Sequence, residues 1–124
     1  MCGLVGIYSS ISTESSHNVF LLEKMRQSIE HRGPDGHGNY HNDQIFLAHN
    51  RLSIIDIEHG QQPMLSSDKR FAIVFNGEIY NYEELREELL LEGAPIRTRS
   101  DTETLLYGYI HWGEKVLSRL NGMF

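Results

Sequence analysis

The single cysteine of the chain stands at position 2, directly behind Met1 and ahead of a glycine. With Met1 removed, one residue carries both a thiol and a free α-amine. A protein α-amine titrates near ~7.7 to 8.0 and a free thiol near ~8.5, so at neutral pH part of the amine is unprotonated and can accept the thiol proton. Cys2 is then nucleophile and base at once, and no histidine is required. With Met1 retained, the Cys2 nitrogen is an amide without basicity and this chemistry is closed. The structural alternative is a small buried residue of a first strand. Asn76-Gly77 offers a second kind of chemistry, because an Asn carboxamide and an unobstructed Gly N–H can both donate to one developing oxyanion. The same pair also suits a turn whose glycine takes a positive φ. Arg51 carries a planar fork that matches a carboxylate, or simply lies at a strand edge. Asp101 either pairs with an ammonium group or favours the dipole at a helix start. His31, His37, His41 and His49 raise the question of zinc. No second cysteine and no paired ligand spacing accompanies them, so no metal is expected.

The elements that must position these residues follow from hydrophobic periodicity. Cys2-Gly3-Leu4-Val5-Gly6-Ile7-Tyr8 is short, apolar and β-branched, which predicts a buried first strand. After a Ser-rich stretch at 9–16, Val19, Leu22, Met25 and Ile29 recur at helical spacing and predict a helix over 17–30, capped by Ser15 or Ser16. Three glycines and a proline in 31–38 predict an irregular loop. Residues 44–49 and 52–57 read as short strands flanking Arg51, and 60–63 as a turn. Residues 70–75 are predicted as the clearest strand, covered on both faces. Asn81 with Glu84 forms a capping-box pattern for a helix whose inner face is Leu85, Leu89 and Leu90 and which Gly93 stops. Glu83, Glu84, Glu87 and Glu88 form its solvated face. Ser100 with Glu103 forms a second capping-box pattern at the start of a helix over 101–112, with Leu105, Leu106, Tyr109 and Ile110 apolar, and a last short helix is expected over 114–119. The apolar end, Gly122-Met123-Phe124, suggests that a further strand follows.

Composition limits the partners. The 124 residues carry 11 Lys and Arg against 17 Asp and Glu, with a formal charge of −6 and no basic cluster. That balance argues against nucleic acid or an anionic membrane surface. A chain of this size buries roughly two thirds of its unfolded surface, enough for a core without staples. No apolar run approaches the ~20 residues of a membrane span, and the N-terminus lacks the basic and apolar regions of a secretory signal. A cytoplasmic location is expected, since a lone cysteine cannot build an internal disulfide framework.

Five segments carry a resemblance: Met1-Cys2-Gly3-Leu4-Val5-Gly6-Ile7, His31-Arg32-Gly33-Pro34-Asp35-Gly36-His37-Gly38, Arg51-Leu52-Ser53-Ile54-Ile55-Asp56, Phe75-Asn76-Gly77-Glu78-Ile79-Tyr80-Asn81 and Arg99-Ser100-Asp101-Thr102-Glu103-Thr104. Together they resemble the class II glutamine amidotransferase domain, most closely the branch of glutamine-hydrolysing asparagine synthetases. The resemblance implies that Cys2, freed by loss of Met1, is the nucleophile and its own amine the base, with Asn76 and Gly77 as the oxyanion hole. It implies that Arg51 holds the α-carboxylate of L-glutamine and Asp101 its α-ammonium. Backbone groups of Leu52, Ser53, Ile54, Ile55 and Glu78 would line the pocket, framed by residues 31–38 and 60–64. Thiolate attack on the side-chain amide would release ammonia, and water would then hydrolyse the thioester to glutamate. Such a pocket needs a zwitterion: a ligand lacking either charge leaves Arg51 or Asp101 unpaired, at a cost on the order of several kcal/mol. The implied fold is α+β, the four-layer αββα sandwich of N-terminal nucleophile hydrolases, spanning 1–124 and ending before its last strands. The implied partner is an ATP-using synthetase domain of the same full-length chain that makes asparagine, and a homodimer of that protein is allowed. ATP and Mg would belong to that domain, since no Walker-type phosphate loop occurs here and no cofactor is expected in these residues. The alternatives are an amidotransferase for amino-sugar or surface-polysaccharide biosynthesis, and an inactive glutamine-binding module.

Overall fold

The computed structural model describes residues 2–10 and 15–124. The state of Met1, on which the Cys2 chemistry depends, and half of the Ser-rich stretch, residues 11–14, lie outside the described residues. The chain forms two compact units. The first runs to Ser53 and adds Gln61–Pro63 and Val74–Asn76, and the second holds Ile54–Gly60, Met64–Ile73 and Gly77–Phe124.

The first unit is built on an antiparallel sheet of β1 (Gly3–Tyr8), β2 (Gly36–His41) and β3 (Ile45–Arg51), in the order β1-β3-β2. Its register pairs Gly3 with Asn50 through Tyr8 with Ile45 on one side, and Gly36 with Arg51 through His41 with Phe46 on the other. The β2–β3 hairpin turns at Asn42, whose side-chain oxygen accepts from the N–H groups of Gln44 at 2.9 Å and Ile45 at 2.7 Å. This local bond suits Asn to a turn. Residues 36–38, read from the sequence as loop, are therefore strand: the neighbouring β3 supplies backbone partners that outweigh the glycines. Residues 52–57, read as strand, form no ladder, and Arg51 closes β3 rather than separating two strands.

Helix α1 (Ser15–Ser28) packs on β3 and β1, with Leu22 against Phe46 and Ala48, flanked by Val5 and Ile7. It starts two residues earlier than its periodicity predicts, so Ser15 and Ser16 lie within it, and Glu30–Arg32 is a separate 3-10 turn. Its buried positions are Asn18, Leu22 and Arg26, whereas Val19 is exposed and Met25 and Ile29 are half-buried. The face is rotated because β3 presents buried Asn50. Arg26 donates to the Asn50 side-chain oxygen at 2.9 Å, and the Asn50 amide donates to the Arg26 carbonyl at 2.8 Å. A buried amide requires such partners, and this need overrides the apolar stripe. The Arg26 guanidinium also holds the Glu23 carboxyl down to about 2.

The second unit centres on α2 (Tyr82–Leu91) packed on α3 (Asp101–Trp112), with Leu89, Ala94 and Tyr107 as its core beside Ile96, Ile110 and Trp112. Helix α3 has the predicted bounds, and Ser100 caps it by accepting from Glu103 N–H, but the return half of the capping box is not formed: the Glu103 carboxylate accepts from the N–H groups of Arg97 and Thr98, while Ser100 N–H donates to Thr98 Oγ1. Tyr109, predicted on the apolar face, is exposed. Gly93 ends α2 at φ +84°, donating to Leu90 O while Ala94 donates to Leu89 O, the paired bonds of a Schellman cap. The predicted capping box at Asn81 is not formed. Its carboxamide instead donates to Arg119 O at 2.9 Å and accepts from Asn121 N–H at 2.8 Å, so it secures the C-terminal segment. Leu90, predicted inside, is 41% exposed and Leu89 alone of that adjacent pair is buried. Glu88 pairs with Arg119 rather than facing solvent unpartnered. The last short helix is a 3-10 helix, Gly113–Arg119.

Residues 70–75 differ most from expectation. Only Ala72–Ile73 (β5) forms ladder, with Met64–Leu65 (β4), and every residue of the run is half-buried or exposed. One two-residue partner strand cannot cover both faces. The other short ladder joins β6 (Glu78–Ile79) to β7 (Gly122–Met123), where a side chain on Gly122 would stand 2.1 Å from Glu78 O. Among the described residues no helix is long and apolar enough to cross a membrane.

Candidate functional site

Each unit carries half of the residues singled out above: Cys2, Arg51, Leu52, Ser53 and Asn76 in the first, Ile54, Ile55, Gly77, Glu78 and Asp101 in the second.

In the first unit, side chains alternate across β3, so Phe46, Ala48 and Asn50 face α1 while His49 and Arg51 share the opposite face. Cys2 precedes β1, whose Gly3 pairs with Asn50. Its half-buried sulfur lies between the two backbone groups of the residue after Arg51. Leu52 N–H donates to Cys2 Sγ at 3.3 Å, and the thiol lies 3.5 Å from Leu52 O. Arg32 Nε donates to the Cys2 carbonyl at 3.1 Å, which fixes the peptide as well as the thiol. Gly3 and Gly33 permit this approach: a Cβ on Gly33 would stand 2.4 Å from the Asn50 carbonyl, and one on Gly3 2.8 Å from Ile29 Cδ1. Arg51 is 7% exposed, and its carbonyl accepts from Asp35 N–H at 3.0 Å. Asp35 in turn accepts from Ser53 N–H at 2.8 Å. The N–H groups of Leu52 and Ser53 are thus engaged within the unit, by Cys2 and Asp35.

Asn76 follows Phe75, whose backbone is held twice. Phe75 N–H donates to Gln62 Oε1 at 2.6 Å, and Phe75 O lies 3.2 Å from His49 Nε2. Burial pushes the His49 imidazole below its usual value against the Phe75 hydrogen bond that raises it, and the Arg51 charge adds to the lowering.

In the second unit Asp101 is the first residue of α3, directly after the Ser100 cap, and is 6% exposed. It accepts from Ile79 N–H at 3.2 Å, which ties the helix start to the strand containing Glu78. Burial pushes the Asp101 carboxyl above the usual range despite the Ile79 and Thr102 hydrogen bonds, and Glu78 adds to the rise. Ile54 is exposed and Ile55 half-buried. Their segment is anchored by Asp56, which accepts from Arg99 N–H at 2.8 Å and so links 54–60 to the residues leading into α3. A surface cleft lined by Tyr82, Glu83, Arg86, Glu87 and Arg99 contains none of these residues. No three His, Cys, Asp or Glu converge as a metal site among the described residues.

Sequence reasoning missed Asp35, Asp56, Gln62 and the structural part of His49. Asp35 and Asp56 lie within segments that carry the resemblance, and His49 stands two residues before Arg51, but none of them was given a role there.

This arrangement, a position-2 thiol set on the backbone that follows a buried arginine, occurs in a chain that belongs to the glutamine amidotransferase domain family, matched over residues 1–124. Among curated proteins it is 46% identical to asparagine synthetase [glutamine-hydrolyzing] 1 of Bacillus subtilis, 41% to asparagine synthetase [glutamine-hydrolyzing] of Triphysaria versicolor and 36% to asparagine synthetase [glutamine-hydrolyzing] 3 of Bacillus subtilis. All of this chain is covered in each alignment, but only 20%, 21% and 20% of those relatives. The chain spans about a fifth of the length of the relatives it matches.

Proposed function

We infer that this domain hydrolyses L-glutamine to glutamate and ammonia, and that the ammonia serves an ATP-dependent synthetase domain that forms asparagine. The observation that carries the reading is the placement of the Cys2 thiol 3.3 Å from the backbone of Leu52, immediately after buried Arg51. The nucleophile is thereby held against the backbone of the residue that follows Arg51, the proposed holder of the substrate α-carboxylate. Membership of the glutamine amidotransferase family and the names of the relatives support the same substrate and product. The four-layer αββα sandwich is the fold this reading requires.

Cys2 Sγ attacks the side-chain carbonyl carbon of glutamine, and its proton passes to the α-amine exposed by loss of Met1. The oxygen, now negative, is met by the Asn76 carboxamide and Gly77 N–H. Collapse breaks the C–N bond, the α-amine returns the proton to the leaving nitrogen, and ammonia departs. Water then attacks the thioester to give glutamate and restore the thiol. Arg51 holds the substrate carboxylate and Asp101 its ammonium, with Leu52, Ser53, Ile54, Ile55 and Glu78 lining the pocket through their backbones.

Intact-mass measurement and a glutamate-release assay test this together. Expected are a mature chain beginning at Cys2, glutamate release, and loss of activity to background in Cys2→Ala. Turnover by protein that retains Met1, turnover by Cys2→Ala, or glutamine binding without hydrolysis would each overturn it.

A further inference from the structure

The Phe75 backbone is gripped at both of its polar groups by side chains that the mechanism above does not use. His49 is wholly buried, on the face of β3 that also carries Arg51. Its Nε2 lies 3.2 Å from the Phe75 carbonyl. A carbonyl only accepts, so Nε2 must carry the proton, and the tautomer is fixed. Nδ1 has no hydrogen-bond partner among the described residues, and a second proton there would be a buried charge beside Arg51. The ring is therefore a neutral donor with one task. On the other side, Gln62 accepts from Phe75 N–H at 2.6 Å. Gln62 reaches this position because β2 carries Gly38 opposite His49: a Cβ on Gly38 would stand 2.3 Å from the Gln62 carbonyl, so only glycine lets that segment lie on the sheet.

Phe75 C=O shares a rigid peptide plane with the nitrogen and Cα of Asn76. Fixing the carbonyl fixes where the Asn76 side chain starts, while the bond to Gln62 fixes the plane before it. An oxyanion donor is useful only if it already points where charge will develop, and tolerance in such sites is about 0.5 Å. Mobility of Phe75 would be felt directly at the Asn76 amide.

We propose that His49 and Gln62 are positioning residues, a two-sided clamp on the Phe75 backbone that aims the Asn76 carboxamide at the oxyanion of the glutaminase reaction. This rests on the role given to Asn76 above. The clamp acts on the transition state and leaves substrate binding and the thiol alone. Three substitutions separate it from a structural contribution. His49→Asn is too short to reach Phe75 O, His49→Gln keeps an amide donor at the distance of Nε2, and Gln62→Leu removes the other arm from a half-buried loop.

Mature protein is assayed for glutamate release and, separately, for alkylation of Cys2 by iodoacetamide, a displacement at saturated carbon that develops no oxyanion. His49→Asn and Gln62→Leu are expected to lower kcat by roughly 10- to 100-fold. Their KM and alkylation rates should stay within about threefold of wild type, the pattern of an interaction made only in the transition state. His49→Gln should restore most of kcat. Unchanged kcat in both disruptive variants overturns the clamp, as does a loss shared by alkylation or appearing mainly in KM. If buried His49→Asn does not fold, Gln62→Leu decides alone. Wild-type protein whose Cys2 alkylates but releases no glutamate would overturn the glutaminase reading and the clamp with it, whereas an active wild type with indifferent variants removes only the clamp.

Discussion

Burial acts on one titratable side chain of interest in each unit, and with opposite sign. His49 in the first unit is pushed down and Asp101 in the second is pushed up, both toward the neutral form. For His49, neutrality is the working state, since a neutral ring donates to Phe75 O and needs nothing more. For Asp101 it is the opposite: a carboxyl meant to hold an ammonium group must be charged, and within its unit it finds only N–H and hydroxyl donors, from Ile79 at 3.2 Å and Thr102 at 3.5 Å. His49 thus needs no ligand to be satisfied, while burial disfavours the charged form of Asp101 that its proposed role requires.

The contrast predicts that the two halves fail differently. Asn76→Ala should cost about 10² to 10³ in kcat with little change in KM, because its donor acts on charge that exists only in the transition state. Asp101→Asn should act on the ground state instead, lowering kcat/KM for glutamine by roughly 30-fold or more through KM, as loss of a buried charge partner does. The same substitution should raise the melting temperature at pH 7. A carboxyl whose folded pKa is raised contributes stability that is fully present below its ordinary value of 3.8 and is lost as pH rises through the folded pKa. The stability lost on ionisation is not lost in Asn, which has no proton to give up. A melting temperature that falls would remove the asymmetry between the units. His49 gives a smaller and opposite dependence. Its depressed pKa contributes stability present above the ordinary value of 6.5 and lost as pH falls through the folded pKa. Thermal melts between pH 7 and 5 should show a decline in the wild type that is smaller in His49→Gln, and equal declines would refute this.

The same division marks how far the sequence could be read. Helix α3 was legible to the residue because its Ser100 cap and its end before Gly113 are local signals, and Gly93 marked the end of α2 for the same reason. The failures were all matters of partnership. Residues 36–38 look like loop until β3 is beside them, residues 70–75 look like core until only Met64–Leu65 pairs with them, and the face of α1 turns to serve Asn50. At the candidate site, the residues proposed to carry chemistry were singled out from type and motif. The residues that hold them were not, because Gln62, Asp35 and Asp56 act on backbone N–H groups far away in sequence, and a bond to a backbone group leaves no complementary residue to recognise.

The smallest expected effect concerns how each unit secures its outermost strand. In the first, β1 is bonded to β3 along its whole length, Gly3 to Tyr8, and needs no side chain to hold it. In the second, β7 pairs over two residues only, and Asn81 adds a bond on Arg119 O and another on Asn121 N–H just before that strand begins. Asn81→Ala removes both and leaves a carbonyl and an N–H to be satisfied by water, so it should destabilise the protein by about 1 to 2 kcal/mol. Asn81→Asp keeps the acceptor for Asn121 N–H and adds a charge favourable at the start of α2, and should recover about half of the loss. Chemical denaturation of the two variants reads this directly, with Cys2 alkylation unchanged in both. If Asn81→Ala is neutral, two ladder residues suffice for the second unit as six do for the first, and side-chain tethering is no part of the difference between them.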